Sequence, residues 1–156
     1  MANLVVNISE EVTLNGKVRG SENSLEISSV TQVLHRIVTC PANQDTTVAN
    51  FHAATNTSDN ALDVEDAKYI RVTNLDASNS INLSLQIDSA EGSTAVASES
   101  ATILVAGGRS FIMGTPSDGL AVSDANATIV TTLHNLESIL VDPGSNAISV
   151  EVFIAS

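Results

Sequence analysis

Tryptophan is absent from this chain, and aromatic residues of all kinds make up only 3% of it. That scarcity removes the stacking platforms on which carbohydrate, single-stranded nucleic acid and antibody-like recognition usually rest. Basic residues are few as well, six against eighteen acidic ones for a formal charge of −12. Lys17, Arg19, Arg36, Lys68, Arg71 and Arg109 are scattered, so direct binding to a phosphate backbone is not expected. With Cys40 as the one cysteine there is no disulfide framework and no multi-cysteine metal site. No window reaches the roughly 18 apolar residues of a membrane helix, and the N-terminus lacks the basic and apolar blocks of a secretory signal, so a chain made in the cytoplasm that stays soluble, reaching an outside surface only by lysis or inclusion in a particle, is the expectation.

Period-two alternation is what remains, and there is much of it. Ile81–Asp88 alternates apolar and polar residues without a break, and in Ala147–Ser156 the residues Ile148, Val150, Val152 and Ile154 fall on one side, with Ser149, Glu151 and Phe153 on the other. Such a rhythm makes a strand with one buried face. Ala2–Ile8 alternates weakly. Val12–Arg19 carries Asn15-Gly16 between two β-prone runs, the strongest short-range hairpin signal. Ser24–Val30, Thr31–Cys40 (closed by Pro41), Asp45–Phe51, Lys68–Leu75, Thr102–Ala106, Ser110–Met113, Leu120–Val122, Ala127–Leu133 and Leu136–Val141 complete the candidate strands.

Turn chemistry separates them. Asp76–Ser80 reads as the loop of a five-residue hairpin, Gly107-Gly108-Arg109 and Asp142–Asn146 as tight turns, and Ala53–Asp66 as a polar surface loop. Ala53–Leu62 and Ser89–Ser100 are rich enough in alanine to hide a short helix. The reading is an all-β chain, a single-domain, jelly-roll-like β-sandwich over residues 1–156 with about ten short strands, residues 1–8 serving as an extending arm or edge strand. A core of Val, Ile, Leu and Ala is light per residue, which points to further burial between copies, a homo-oligomer.

Residue patterns for chemistry are missing. His35, His52 and His134 are far apart and in no metal-binding pattern, Cys40 has no nucleophile motif around it, and no Gly-x-Ser-x-Gly elbow is present. Gly107–Ser110 lacks the lysine of a phosphate loop. Asp59, Asp63, Glu65 and Asp66 could supply oxygens to calcium, though not at the spacing of an EF-hand. Neither catalytic residues, a cofactor nor a metal is expected, and the candidate sites are interfaces. Leu4, Val5 and Val6 lie in the candidate arm, Tyr69 and Arg71 on the strand opening Lys68–Asp88, and Arg36 in a strand-like run where it would need a carboxylate or an edge carbonyl.

A resemblance sharpens this reading. Lys68–Asp76, Ile81–Asp88, Leu104–Gly114 with its Gly-Gly turn, Leu136–Ile139 and Ala147–Ser156, together with Val12–Gly16 and Arg36–Ala42, resemble small virion structural proteins of tailed bacteriophages, especially those of marine hosts. The resemblance implies a jelly roll that trimerises and partners the major capsid protein or other virion proteins, located in the virion, with no enzymatic activity. It favours a capsid decoration, or cement, protein over a tail, neck or fibre component. A calcium- or carbohydrate-binding surface module is the alternative from another class.

Overall fold

The structure is a computed structural model that describes residues 2–52, 62–88, 99–122 and 129–156. Its described residues form eleven strands and no helix: β1 (Ala2–Leu14), β2 (Lys17–Val30), β3 (Val33–Cys40), β4 (Thr46–His52), β5 (Leu62–Asp63), β6 (Tyr69–Asn74), β7 (Ile81–Asp88), β8 (Glu99–Val105), β9 (Ser110–Met113), β10 (Asn135–Asp142) and β11 (Ile148–Ala155). The suggested short helices in Ala53–Leu62 and Ser89–Ser100 lie almost wholly outside the described residues, as does Asp59 of the acidic loop.

Nine strands make the body. A five-stranded sheet in the order β5-β4-β10-β7-β8 faces a four-stranded sheet in the order β3-β11-β6-β9. Leaving out the two-residue β5 and counting body strands from β3, the orders are 1-8-3-6 and 2-7-4-5, the double Greek key of a jelly roll. Alternation explains the layering. In β7 every second residue, Ile81, Leu83, Leu85 and Ile87, is buried, and in β11 the buried set is Ile148, Val150, Val152 and Ile154. These two strands meet across a dry interior of Val, Ile and Leu. Cys40 belongs to that interior, fully buried, and burial pushes its thiol above the ordinary range.

Three sequence expectations are corrected. Asp76–Ser80 joins no hairpin, because β6 and β7 lie in different sheets and the segment is a corner between them. Asn74, fully buried at the end of β6, holds the corner: its Nδ2 donates to the carbonyls of Asn79 (2.8 Å) and Val105 (3.2 Å), and its Oδ1 accepts from the Asp76 amide (3.0 Å). Asp76 accepts backbone amides from Ser78 and Asn79, both at 2.7 Å, which holds its carboxyl below the usual range. Within Ala127–Leu133 the described residues 129–133 form no strand, and Ile129 is 88% exposed. Leu120–Val122 contributes one isolated bridge, Leu120 to His134.

The third correction concerns the beginning of the chain. β1 and β2 are not short strands of the body but one long hairpin, paired from Ala2–Val30 through Leu14–Lys17 and, among the described residues, with no other strand as neighbour. Ser24–Val30 is its second half. Asn15 and Gly16 both take positive φ, 52° and 72°, as a type I′ turn requires. The arm thus extends well past residues 1–8. At about 3.4 Å per residue, thirteen residues of β1 reach roughly 40 Å.

Candidate interaction surface

The root of the arm lies on the outward face of the four-stranded sheet. Outward positions alternate with core positions, so the strands that bury Ile70, Val72, Val152 and Ile154 present Tyr69, Arg71, Phe153 and Ala155 on the other side. Leu4, Val6, Ile27 and Phe153 pack there around buried Val30, Tyr69 and Ala155, a second small apolar cluster outside the main core. Tyr69 and Phe153 meet edge to face with ring centroids 6.1 Å apart, and His35 tilts against Phe153 at 5.6 Å. Backbone bonds fasten the joint. Thr31 and Gln32 donate to the Ser156 carbonyl at 2.7 and 3.0 Å, and the Lys68 ammonium donates to the Ser29 carbonyl at 2.7 Å.

Beside this joint runs an open groove of about 340 Å³ lined by Leu4, Val5, Val6, Asn7, Ile8, Tyr69, Arg71, Ile112 and Phe153. Five of the six expected interface residues therefore come together: Leu4, Val5, Val6, Tyr69 and Arg71. Arg36 does not join them. It sits in register with core residue Val152 and donates through Nη2 to the Val48 carbonyl, tying β3 to β4 across the sandwich edge. Arg71 finds its carboxylate within the chain, donating to Glu151 at 2.7 Å, while His35 Nε2 lies 2.8 Å from the other Glu151 oxygen. The paired cation and the imidazole hold the Glu151 carboxyl below its ordinary range.

Sequence reasoning missed Ile112, Ile27 and Phe153 as parts of this surface. Phe153 had been placed on the polar side of β11, and a single large aromatic among polar outward residues was the available signal.

A different electrostatic feature sits on the five-stranded sheet. The register of β10 against β7 skips Glu137, making it the extra residue of a bulge. Its Oε2 is buried and, among the described residues, has no hydrogen-bond partner. Burial first and the Asp88 carboxylate second raise its carboxyl above the ordinary range, opposed by His52. Among the described residues no group of three or more His, Cys, Asp or Glu side chains is arranged to hold a metal ion. Asp63 uses one oxygen to accept the Glu65 amide at 2.9 Å.

No family model and no curated protein matches the chain. Among solved structures it is similar to a chain of Bacillus endospore appendages, described as a novel family of disulfide-linked pili, at 13% identity and a TM-score of 0.38, covering 82% of this chain and 88% of that one. A likeness that distant carries no argument about function.

Proposed function

We propose that this chain is a non-enzymatic structural subunit of a bacteriophage particle, a homotrimeric capsid decoration protein that bridges major-capsid subunits and stabilises the head. The observation that carries the reading is the combination of a jelly-roll body with a long hairpin arm that pairs with no strand of that body. A rigid sandwich supplies shape. The arm supplies reach, with free backbone edges on both strands able to extend a neighbour's sheet. A formal charge of −12 keeps such a subunit from adhering to the nucleic acid enclosed by the shell. Many modest contacts, repeated over a lattice, then add to a firm attachment.

The test is reconstitution. Purified protein added to undecorated capsids is expected to bind saturably, in a fixed ratio to the major capsid protein, and to sediment alone as a trimer. Association with isolated tails instead of heads would transfer the protein to the tail, neck or fibre and end the decoration reading.

A further inference from the structure

The outer half of the arm is an amphipathic ribbon with one face unfinished. In the hairpin register Leu4 lies opposite Ile27, Val6 opposite Leu25, Ile8 opposite Asn23, Glu10 opposite Ser21, Val12 opposite Arg19 and Leu14 opposite Lys17, and these rungs share one face. The other face is mostly polar, with Asn7, Ser9, Glu11 and Thr13 opposite Ser24, Glu22, Gly20 and Val18, and its apolar residues are Val5 near the root and the exposed Val18 near the tip. Near the root Leu4, Val6 and Ile27 of this face pack on the body, while Leu25 beside them is 57% exposed. Beyond the root the same face continues uncovered: Ile8 is 47% exposed, and Val12 and Leu14 are 56% exposed. A lone two-stranded ribbon is marginal in water, and an apolar face on it calls for a covering layer.

We propose that the covering layer is the same face of the arm of a second copy, laid antiparallel. This names a partner for the particle subunit put forward above and rests on that reading. The order of charges along the face selects both the occupant and the orientation. Glu10 sits midway, while Arg19 and Lys17 sit toward the tip on the same face. Among the described residues neither cation makes an ion pair or a side-chain hydrogen bond, and Glu10 accepts only from Ser21 Oγ, at 3.2 Å. A two-fold axis across the ribbons, between the Glu10 and Val12 rungs, places Ile8 over Leu14 of the other copy. Arg19 then lies over Ser21, one diagonal step from the other copy's Glu10, and the symmetry makes this contact twice. A parallel pairing instead gathers two Arg19 and two Lys17 at one end and sets both Glu10 carboxylates at one level, which is repulsive. The face is thus self-complementary in one orientation. Ile8–Leu14 spans only about 20 Å of ribbon, so the contact falls below the roughly 1,000 Å² of a self-standing interface and gains strength by repetition over an assembly.

Cross-linking reads the orientation directly. Ile8→Cys and Leu14→Cys proteins, mixed in equal amounts and treated with a bis-maleimide spanning the roughly 10 Å between packed sheets, are expected to give almost wholly the 8–14 product, well above the roughly 1:2:1 distribution of 8–8, 8–14 and 14–14 that unoriented pairing produces; Cys40, fully buried, stays unmodified. Arg19→Glu is expected to abolish that product, and Arg19→Glu combined with Glu10→Arg to restore it, with the body's melting temperature unchanged throughout. An 8–14 share no higher than that unoriented distribution, no product either free or on particles, or cross-links from the arm only to another virion protein would overturn the proposal. Capsid binding is scored separately on the wild-type protein. Saturable binding without the 8–14 product removes the arm pairing alone, and the 8–14 product without capsid binding removes the decoration reading.

Discussion

Glu137 is a charged group placed where charge is disfavoured, and its behaviour with pH follows from its position. Its carboxyl is raised above the ordinary range, so above that folded-state value the ionised form costs stability, and the cost shrinks as pH falls below it and is gone below the ordinary carboxylate value. Glu137→Gln is therefore expected to raise the melting temperature at pH 7 by a few degrees, and by nothing near pH 3, in paired thermal scans. Glu151 has the opposite sign. Its carboxyl is held low by Arg71 and His35, so its contribution is present above the ordinary carboxylate range and lost as pH falls through the folded value. Glu151→Gln is expected to cost about 1 kcal/mol at neutral pH, a modest figure suited to a part-exposed pair, with the difference vanishing in acid. Asn74 has no titration but a larger stake: Asn74→Ala strands the buried Val105 carbonyl it serves and is expected to cost about 2–3 kcal/mol in denaturant unfolding. None of these three roles is visible in the sequence. A bulge, a buried amide and an outward ion pair each depend on which strand becomes whose neighbour.

At the scale of elements, what could be read was the rhythm, and what could not was the pairing. β7, β10 and β11 were found within a residue or two because each buries every second side chain over most of its length. β2 was found only in part, since Lys17–Val30 has no continuous apolar alternation and draws its strand character from twelve paired rungs with β1. Asp76–Ser80 carries the same turn residues whether it closes a hairpin or rounds a corner. The distinguishing fact is the Asn74 link to β8. Ile129 and its β-branched neighbours Val130 and Thr131 have strand propensity yet pair with no strand among the described residues. For the arm a prediction belongs at this level: Leu4→Ala with Val6→Ala strips the joint on Tyr69 and Phe153, and is expected to speed amide exchange throughout Ala2–Val30 while leaving β6, β7 and β11 protected.

For the whole molecule, composition set the class correctly, an all-β sandwich with an aliphatic core, and the jelly-roll order emerged only once the strands were placed. Five of the six candidate interface residues fall together in space. Leu4, Val5, Val6, Tyr69 and Arg71 converge on one groove because arm root and sheet face meet there, whereas Arg36 is spent within the body. The chain folds into two regions of different locality. The arm pairs residues that are close in sequence, while β11 lies between β3 and β6, and Thr39 meets Ser149 across 110 positions.

That placement of β11 has a consequence for biosynthesis. The strand that completes the four-stranded sheet is the last of the body to leave the ribosome, so β3 and β6 wait for it with open flanks while the hairpin is already free to zip. The zipped ribbon is marginal until its root packs on Tyr69 and Phe153, so pulse-labelled exchange during refolding is expected to protect Ala2–Val30 no earlier than β6 and β11, and earlier protection would contradict it. The arm of a nascent chain would thus stay loose until β11 closes the body, and the pairing proposed for it would be deferred until the rest of the molecule is in place.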